Sequence, residues 1–244
     1  MDGWRAMLAC TVRQEEKTPG AAMNLFQRIR SDAVFFGCAM RSLRRTAPII
    51  QSPARVFPFV IDELADRFGD APALVSAHES FSYCTLAERT NRYARWALAQ
   101  NLNKGDVVCL LMPNRPEYLV IWLGITKVGG IVALVNTSLV GKSLAHCIDI
   151  VAAKHVIVAA ELRDAWETAV PLLRSSPRLW LHGDAAAGPP RVDREIEAHS
   201  GLPLAGAERR PLTIEDLALY IYTSGTTGLP KAANINHYRV MLAC

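Results

Sequence analysis

VVCLLMPNRPEYLVIWLGITKVGGIVALV, residues 107–135, is the stretch of the chain that decides the fold. Its first and last segments, 107–112 and 131–135, are short and apolar, and they predict two buried strands. Between them, a proline-containing turn leads into a predicted helix over 117–128. A strand, a helix and a second strand in this order join through a right-handed crossover, so the stretch predicts a parallel sheet. The turn also interrupts the apolar residues, so no run of about 20 is available to span a bilayer.

The same alternation continues on both sides of this stretch. Helices are predicted over 58–68, 85–100, 143–152, 161–174 and 193–199, and further strands over 73–76, 155–159, 179–182, 216–222 and 232–236. Alternating strands and helices are typical of an α/β fold in which a mostly parallel sheet carries helices on both faces.

The last two strands enclose a polar loop, Tyr222-Thr-Ser-Gly-Thr-Thr-Gly-Leu-Pro-Lys231. Its glycines allow the backbone N–H groups to approach an anion closely, and its hydroxyls and lysine can donate to phosphate oxygens. A Walker A loop opens directly into a helix, whereas this loop leads into a second strand. We therefore predict a phosphate-binding loop of another kind.

This loop resembles the phosphate-binding signature of the acyl-adenylate-forming enzymes: acyl-CoA synthetases, firefly-luciferase-like enzymes and the adenylation domains of peptide synthetases. Residues 81–94 and 104–130 are also similar to segments of that family, and the likeness runs over about residues 56–240. Within the family the chain looks most like the fatty acid transport proteins, or very-long-chain acyl-CoA synthetases, because Ala232-Ala233 follows Lys231 and Tyr-Ile-Tyr precedes the loop.

The resemblance implies the incomplete N-terminal domain of an enzyme that joins a fatty acid to ATP, releases pyrophosphate, and passes the acyl group to coenzyme A. It implies that the loop binds the triphosphate through Tyr222, Thr223, Ser224, Gly225, Thr226, Thr227, Gly228 and Lys231. In this family the Mg²⁺ ligand, most of the acyl pocket and a catalytic lysine come later in the chain. We therefore expect no catalytic residue and no metal ligand here, and no complete adenylation by this polypeptide alone.

Two functional alternatives stay open at this point. The chain could be a non-catalytic remnant that binds phosphate or serves as an interaction module, or part of a peptide-synthetase adenylation domain. Its origin is open too: the chain could be a fragment, a truncated reading frame or half of a split protein.

Charge divides the chain into two predicted regions. Residues 1–50 hold eight Lys/Arg and four Asp/Glu and form a basic leader, whereas the remaining 194 residues hold 19 of each. Residues 51–244 are therefore predicted to form a domain without net charge, and nucleic acid is not expected to bind to it. The leader has no apolar segment of the secretory type near its start. A stripe at helical spacing, lined by arginines, predicts an amphipathic helix that contacts a membrane surface through residues 25–45; the stripe is Leu25, Ile29, Ala33, Phe36, Met40 and Leu43.

Six cysteines without paired spacing favour free thiols in a reducing, cytoplasmic setting. Several other polar and aromatic residues are interpreted as structural. Asp62, Glu63 and Asp66 are expected on a solvated helix face, and Asp193, Glu195 and Glu197 are given no site. Trp96, Trp122 and Trp166 are expected in the core, and His237 is expected to close the last strand and to pack or hydrogen-bond locally.

Overall fold

The computed structural model describes residues 25–77, 79–184, 188–224 and 228–243. The chain forms two compact units, residues 1–47 and 48–244. In the first unit the described residues belong to helix α1, Leu25–Gln51, and its apolar side chains at Phe36, Met40 and Leu43 are exposed. Among the described residues, no helix combines the length and the apolar content that a bilayer crossing requires.

The second unit alternates strands and helices, as the sequence predicts. Its further helices are α2 Phe57–Phe68, α3 Tyr83–Ala99, α4 Pro116–Lys127, α5 Gly141–Ile150, α6 Arg163–Ala169, α7 Val192–Glu195 and α8 His237–Ala243. Its strands are β1 Pro72–Val75, β2 Ser80–Ser82, β3 Val107–Leu111, β4 Ile131–Leu134, β5 His155–Ala159, β6 Arg178–His182, β7 Leu217–Thr223 and β8 Lys231–Asn236.

Six of the strands form one sheet in the order β6-β5-β3-β4-β7-β8. The first five are parallel, and β8 returns antiparallel to β7. Strands β1 and β2 form a separate antiparallel pair. The predicted α/β fold with a mostly parallel sheet is therefore confirmed, and the carboxyl ends of its five parallel strands open at one edge.

The central strand β3 is buried on both sides, because helices cover both faces of the sheet. Alternate side chains of a strand point to opposite faces. Val108 and Leu110 join one apolar cluster together with residues of α3 and α4. Cys109 and Leu111 join a second cluster together with residues of α5 and α6. Because β3 contributes side chains to an apolar cluster on each face of the sheet, neither of its faces is polar, which explains its uninterrupted apolar sequence.

Helices α3 and α4 pack closely, and a glycine makes this possible. A Cβ atom on Gly124 would collide with the Cβ of Tyr93 and would lie 2.7 Å from the backbone oxygen of Thr90. The predicted core positions of Trp96, Trp122 and Trp166 are confirmed, since all three are buried.

Some boundaries differ from the prediction for identifiable reasons. The helix expected over 161–174 ends as an α-helix at Ala169 and continues as the 3-10 turn Val170–Leu172, because Pro171 has no N–H for an α-helical hydrogen bond. The helix expected over 193–199 is α7 followed by the 3-10 turn Ile196–Ala198. His237 does not close strand β8 but begins α8, which was not predicted.

Candidate functional site

The predicted phosphate loop connects β7 to β8 at the carboxyl edge of the sheet. The two strands pair up to its mouth, where Thr223 lies opposite Lys231. Of the loop itself, Ser224 and residues 228–230 are described, whereas Gly225, Thr226 and Thr227 lie outside the described residues. Gly228 has a φ of +96°, in the left-handed region that favours glycine.

Exposure around the loop mouth fits a site open to a solute. Thr223, Ser224, Gly228 and Lys231 are exposed. The two hydroxyls and the ammonium are donors that phosphate oxygens accept from. The arrangement can present several donors and one full positive charge to an anion.

Helix α5 supports both arms of this hairpin. The hydroxyl of Tyr222, the residue before Thr223, donates to the backbone oxygen of Cys147 at 2.5 Å. On the other arm, His146 Nε2 donates to the backbone oxygen of Pro230 at 3.1 Å. The Tyr222 hydroxyl is thus engaged by the helix, while the neighbouring hydroxyls of the loop are exposed.

A second polar cluster lies at the start of α4, and the sequence analysis missed it. Glu117 is almost fully buried and accepts hydrogen bonds from Arg89 at 2.6 and 2.8 Å and from the Tyr93 hydroxyl at 2.7 Å. His182 Nε2 lies 3.8 Å from the same carboxylate. Burial would raise the pKa of Glu117, but His182, Arg89 and Tyr93 outweigh burial and lower it to about 2.

This cluster borders a cavity of about 550 Å³. Asp193, which the sequence analysis gave no site, lines it together with Arg89, Arg115, Glu117 and His182. The charges that line the cavity are already paired, since Arg89 binds Glu117, Asp193 binds Arg191 and Arg115 binds Glu161. The one signal in the sequence was Glu117, a glutamate in the first turn of a mainly apolar helix.

The expectation that Asp62 belongs to a solvated helix face is wrong. Its carboxylate binds the ammonium of Lys127 at 2.6 and 2.7 Å, and Lys127 also donates to Asn91 Oδ1 at 2.7 Å. The Lys127 side chain is fully buried. Glu63, the next residue, does lie on the exposed face, where it pairs with Arg55.

His237 is buried, which agrees with its interpretation as a packing residue. Burial lowers its pKa to about 4, so the ring is neutral at pH 7. Cys109 and Cys147 are buried free thiols, and burial raises the pKa of Cys147 to about 11. Within the described ranges, no group of three or more His, Cys, Asp or Glu side chains is arranged so that it could hold a metal ion.

The family model described as AMP-binding enzyme matches residues 61–244. The long-chain fatty acid transport protein 2 of Rattus norvegicus is 35% identical over 206 residues, which cover 82% of this chain and 32% of the rat protein. The long-chain fatty acid transport protein 3 of Homo sapiens is 38% identical over 143 residues, covering 57% of this chain and 21% of that protein. The chain thus spans about a third or less of the length of these relatives.

Solved structures share the fold. The anthranilate CoA ligase AuaEII in complex with anthranoyl-AMP matches with a TM-score of 0.70 at 20% identity, over 76% of this chain and 35% of the ligase. The long-chain-fatty-acid-CoA ligase FadD1 from Archaeoglobus fulgidus matches with a TM-score of 0.67 at 20% identity, over 78% of this chain and 38% of that enzyme.

Proposed function

Since the chain belongs to the AMP-binding enzyme family, we propose that it is the N-terminal part of an ATP-dependent acyl-CoA ligase for long-chain or very-long-chain fatty acids. The observation that carries the proposal is the β7–β8 hairpin, which presents Thr223, Ser224, Gly228 and Lys231 at the carboxyl edge of the sheet. The similarity to fatty acid transport proteins supports the choice of a fatty acid as the acid substrate.

The proposed reaction has two steps. A fatty acid carboxylate attacks the α-phosphorus of ATP, which forms acyl-AMP and releases pyrophosphate. The thiol of coenzyme A then attacks the acyl carbonyl, loses its proton, and displaces AMP to leave the thioester.

The loop would act mainly in the first step. Its donors hold the β- and γ-phosphates, and the Lys231 ammonium offsets their charge as pyrophosphate departs. Gly225, Thr226 and Thr227 are proposed to extend this cradle, together with the residues at its mouth. Mg²⁺ would accompany the ATP, and we assign none of the described residues to it.

We propose that this chain by itself binds phosphate without completing turnover, because it matches about a third of the length of the rat protein. Calorimetric titration of the 244-residue chain with ATP and with pyrophosphate tests the site. Replacing Lys231 and Thr226 together by alanine should lower the affinity roughly 30-fold or more, because each charged or hydroxyl donor to phosphate contributes about 1–3 kcal/mol and the two together contribute at least about 2 kcal/mol.

The matched control is Lys104→Ala. It removes the same charge at the opposite end of β7, where Lys104 binds Asp216 at 2.8 Å. Equal losses in the control and the loop variant, or no binding by the folded unmodified chain, would contradict the proposed site. An assay of the unmodified chain with ATP, fatty acid and coenzyme A tests the absence of turnover, and clear thioester formation would overturn that statement.

We also propose that the protein is cytoplasmic and contacts an anionic membrane surface through residues 25–45. Phe36, Met40 and Leu43 are exposed by 70, 53 and 61% on helix α1, and Arg41 and Arg44 are exposed beside them. Apolar side chains flanked by arginines match the interface of a bilayer that contains anionic lipid.

Sedimentation with vesicles tests this contact. We expect binding to phosphatidylcholine vesicles that contain phosphatidylserine, and a clear loss in the double variant Phe36→Asp, Leu43→Asp. Val34→Asp is the control, because position 34 lies about 160° around the helix from position 36. Equal binding to vesicles of phosphatidylcholine alone, or an equal loss in the control, would refute an electrostatic interfacial contact.

A further inference from the structure

Helix α5 contacts the phosphate loop hairpin at both of its arms through two consecutive residues. The Tyr222 hydroxyl donates to the carbonyl of Cys147 at 2.5 Å, and His146 Nε2 donates to the carbonyl of Pro230 at 3.1 Å. Tyr222 directly precedes the first residue of the loop mouth, and Pro230 directly precedes Lys231. The two hydrogen bonds therefore lie one on each side of the candidate site.

The bond from Tyr222 uses a carbonyl at the C-terminal end of α5. If the helix continued, the N–H of Val151 would donate to this carbonyl. Here it donates to the backbone oxygen of Asp149 instead. The last carbonyls of a helix lack intrahelical donors, and the Tyr222 hydroxyl provides a donor for one of them. Burial raises the pKa of Tyr222, which keeps the hydroxyl protonated and available as a donor.

The bond from His146 acts on the other arm through a peptide plane. The carbonyl of Pro230 and the N–H of Lys231 belong to the same planar peptide group. Holding the Pro230 oxygen therefore fixes the direction in which the backbone of Lys231 leaves the loop. Because a carbonyl oxygen can only accept, His146 must carry its proton on Nε2, and both the neutral and the charged ring can do so.

Packing anchors the helix that makes both bonds. Leu144, Ala145 and Ile148 of α5 belong to the apolar cluster on one face of the sheet, and Cys147 is buried as well. Tyr222 and Ala232 from the two strands of the hairpin pack against the same cluster. Because α5 is packed into the core, its two hydrogen bonds attach the arms of the hairpin to a rigid part of the protein.

We propose that His146 and Tyr222 are positioning residues that hold the two arms of the hairpin at the separation and orientation needed to bind phosphate. This inference rests on the proposed function of the loop. Neither side chain needs to touch the ligand, since each acts through the backbone of the hairpin. A loop held in its binding geometry loses less conformational entropy when the anion binds.

Pyrophosphate binding by the 244-residue chain and its variants tests the proposal. His146→Ala and Tyr222→Phe should each weaken binding roughly three- to tenfold, the range for the loss of one hydrogen bond. His146→Gln should restore most of the affinity, because an amide nitrogen can donate to the Pro230 carbonyl in place of Nε2. His199→Ala, a histidine replacement outside both α5 and the hairpin, is the matched control and should bind like the unmodified chain.

A role in stability alone predicts a different pattern. It would lower the melting temperature of His146→Ala while leaving the affinity of the folded protein unchanged, and that result would overturn the proposal. So would failure of His146→Gln to bind more tightly than His146→Ala. If the unmodified chain binds no pyrophosphate, the function proposed for the loop fails, and this inference falls with it. If the unmodified chain binds and all variants bind equally, the proposed function survives and the positioning role does not.

Discussion

Replacing Asp62 by alanine removes the carboxylate that neutralises a buried ammonium group. Lys127 is fully buried and Asp62 is 15% exposed, so their ion pair is shielded from water. In the variant, the hydrogen-bond partner that remains to Lys127 among the described residues would be the Asn91 oxygen at 2.7 Å. We expect the free energy of unfolding to fall by about 3–5 kcal/mol, as is found when one partner of a buried pair is removed.

The upper bound of this loss follows from the chemistry of lysine. An ammonium that becomes too costly to bury loses its proton, and the pKa of Lys127 is already lowered by burial despite the opposing charge of Asp62. Neutralising a lysine of ordinary pKa 10.5 costs about 5 kcal/mol at pH 7 and about 2 kcal/mol at pH 9. The penalty of Asp62→Ala should therefore be smaller at pH 9 than at pH 7.

Urea unfolding followed by tryptophan fluorescence measures both values by linear extrapolation. The control is Glu63→Ala on the same helix, which removes an ion pair with Arg55 whose side chains are 47 and 52% exposed. This control should cost about 1 kcal/mol or less. The double variant Asp62→Leu, Lys127→Met removes both charges and should recover most of the stability. A loss for Asp62→Ala no larger than that of the control would refute the reasoning.

Three further predictions follow from the buried groups. Glu117 has a pKa of about 2 against an ordinary 4.5, so its ionised form stabilises the fold by a free energy on the order of 3 kcal/mol, which is present above pH 4.5 and is lost as the pH falls to 2. The difference in unfolding free energy between the unmodified chain and Glu117→Gln should therefore shrink from pH 4.5 to pH 2, and a constant difference would contradict this reasoning. The pKa of His155 is lowered to about 4 by burial and by Arg178 and Lys154, so as the pH falls the unfolded state takes up a proton first, and the free energy of unfolding should decrease between pH 6.5 and 4. In His155→Gln this decrease should be smaller, and an equal decrease in both proteins would count against a neutral buried histidine. Gly124→Ala should lower the free energy of unfolding by about 3 kcal/mol, because the new Cβ would lie 2.7 Å from the Thr90 carbonyl oxygen. A melting temperature within 1–2 °C of that of the unmodified chain would show that α3 and α4 can move apart without loss of stability.

Local sequence patterns were sufficient for the framework of the second unit. The apolar segments that became β3 and β4 and the helix between them were predicted within one or two residues, because burial on both faces leaves a continuous apolar signature. The strand, loop and strand order of the hairpin was likewise readable from residues 216–236, because hydroxyls and glycines separate an apolar run from a second short segment that resembles a strand. Where prediction failed locally, as at Pro171 and His237, a single residue ended or began a helix.

The polar contacts needed the tertiary structure. Lys127 meets Asp62 across 65 residues, and Arg89 meets Glu117 across 28. No periodicity in the sequence links such positions, because periodicity reports which face of one element is buried and not which element packs against it. Asp62 and Glu63 are neighbours in the sequence, yet one holds a buried ammonium and the other an exposed arginine. The sequence alone determined the alternation of elements and the chemistry of the loop. Packing of α2, α3 and α4, and the seating of α5 beneath the hairpin, decided which charges and carbonyls came within hydrogen-bond distance.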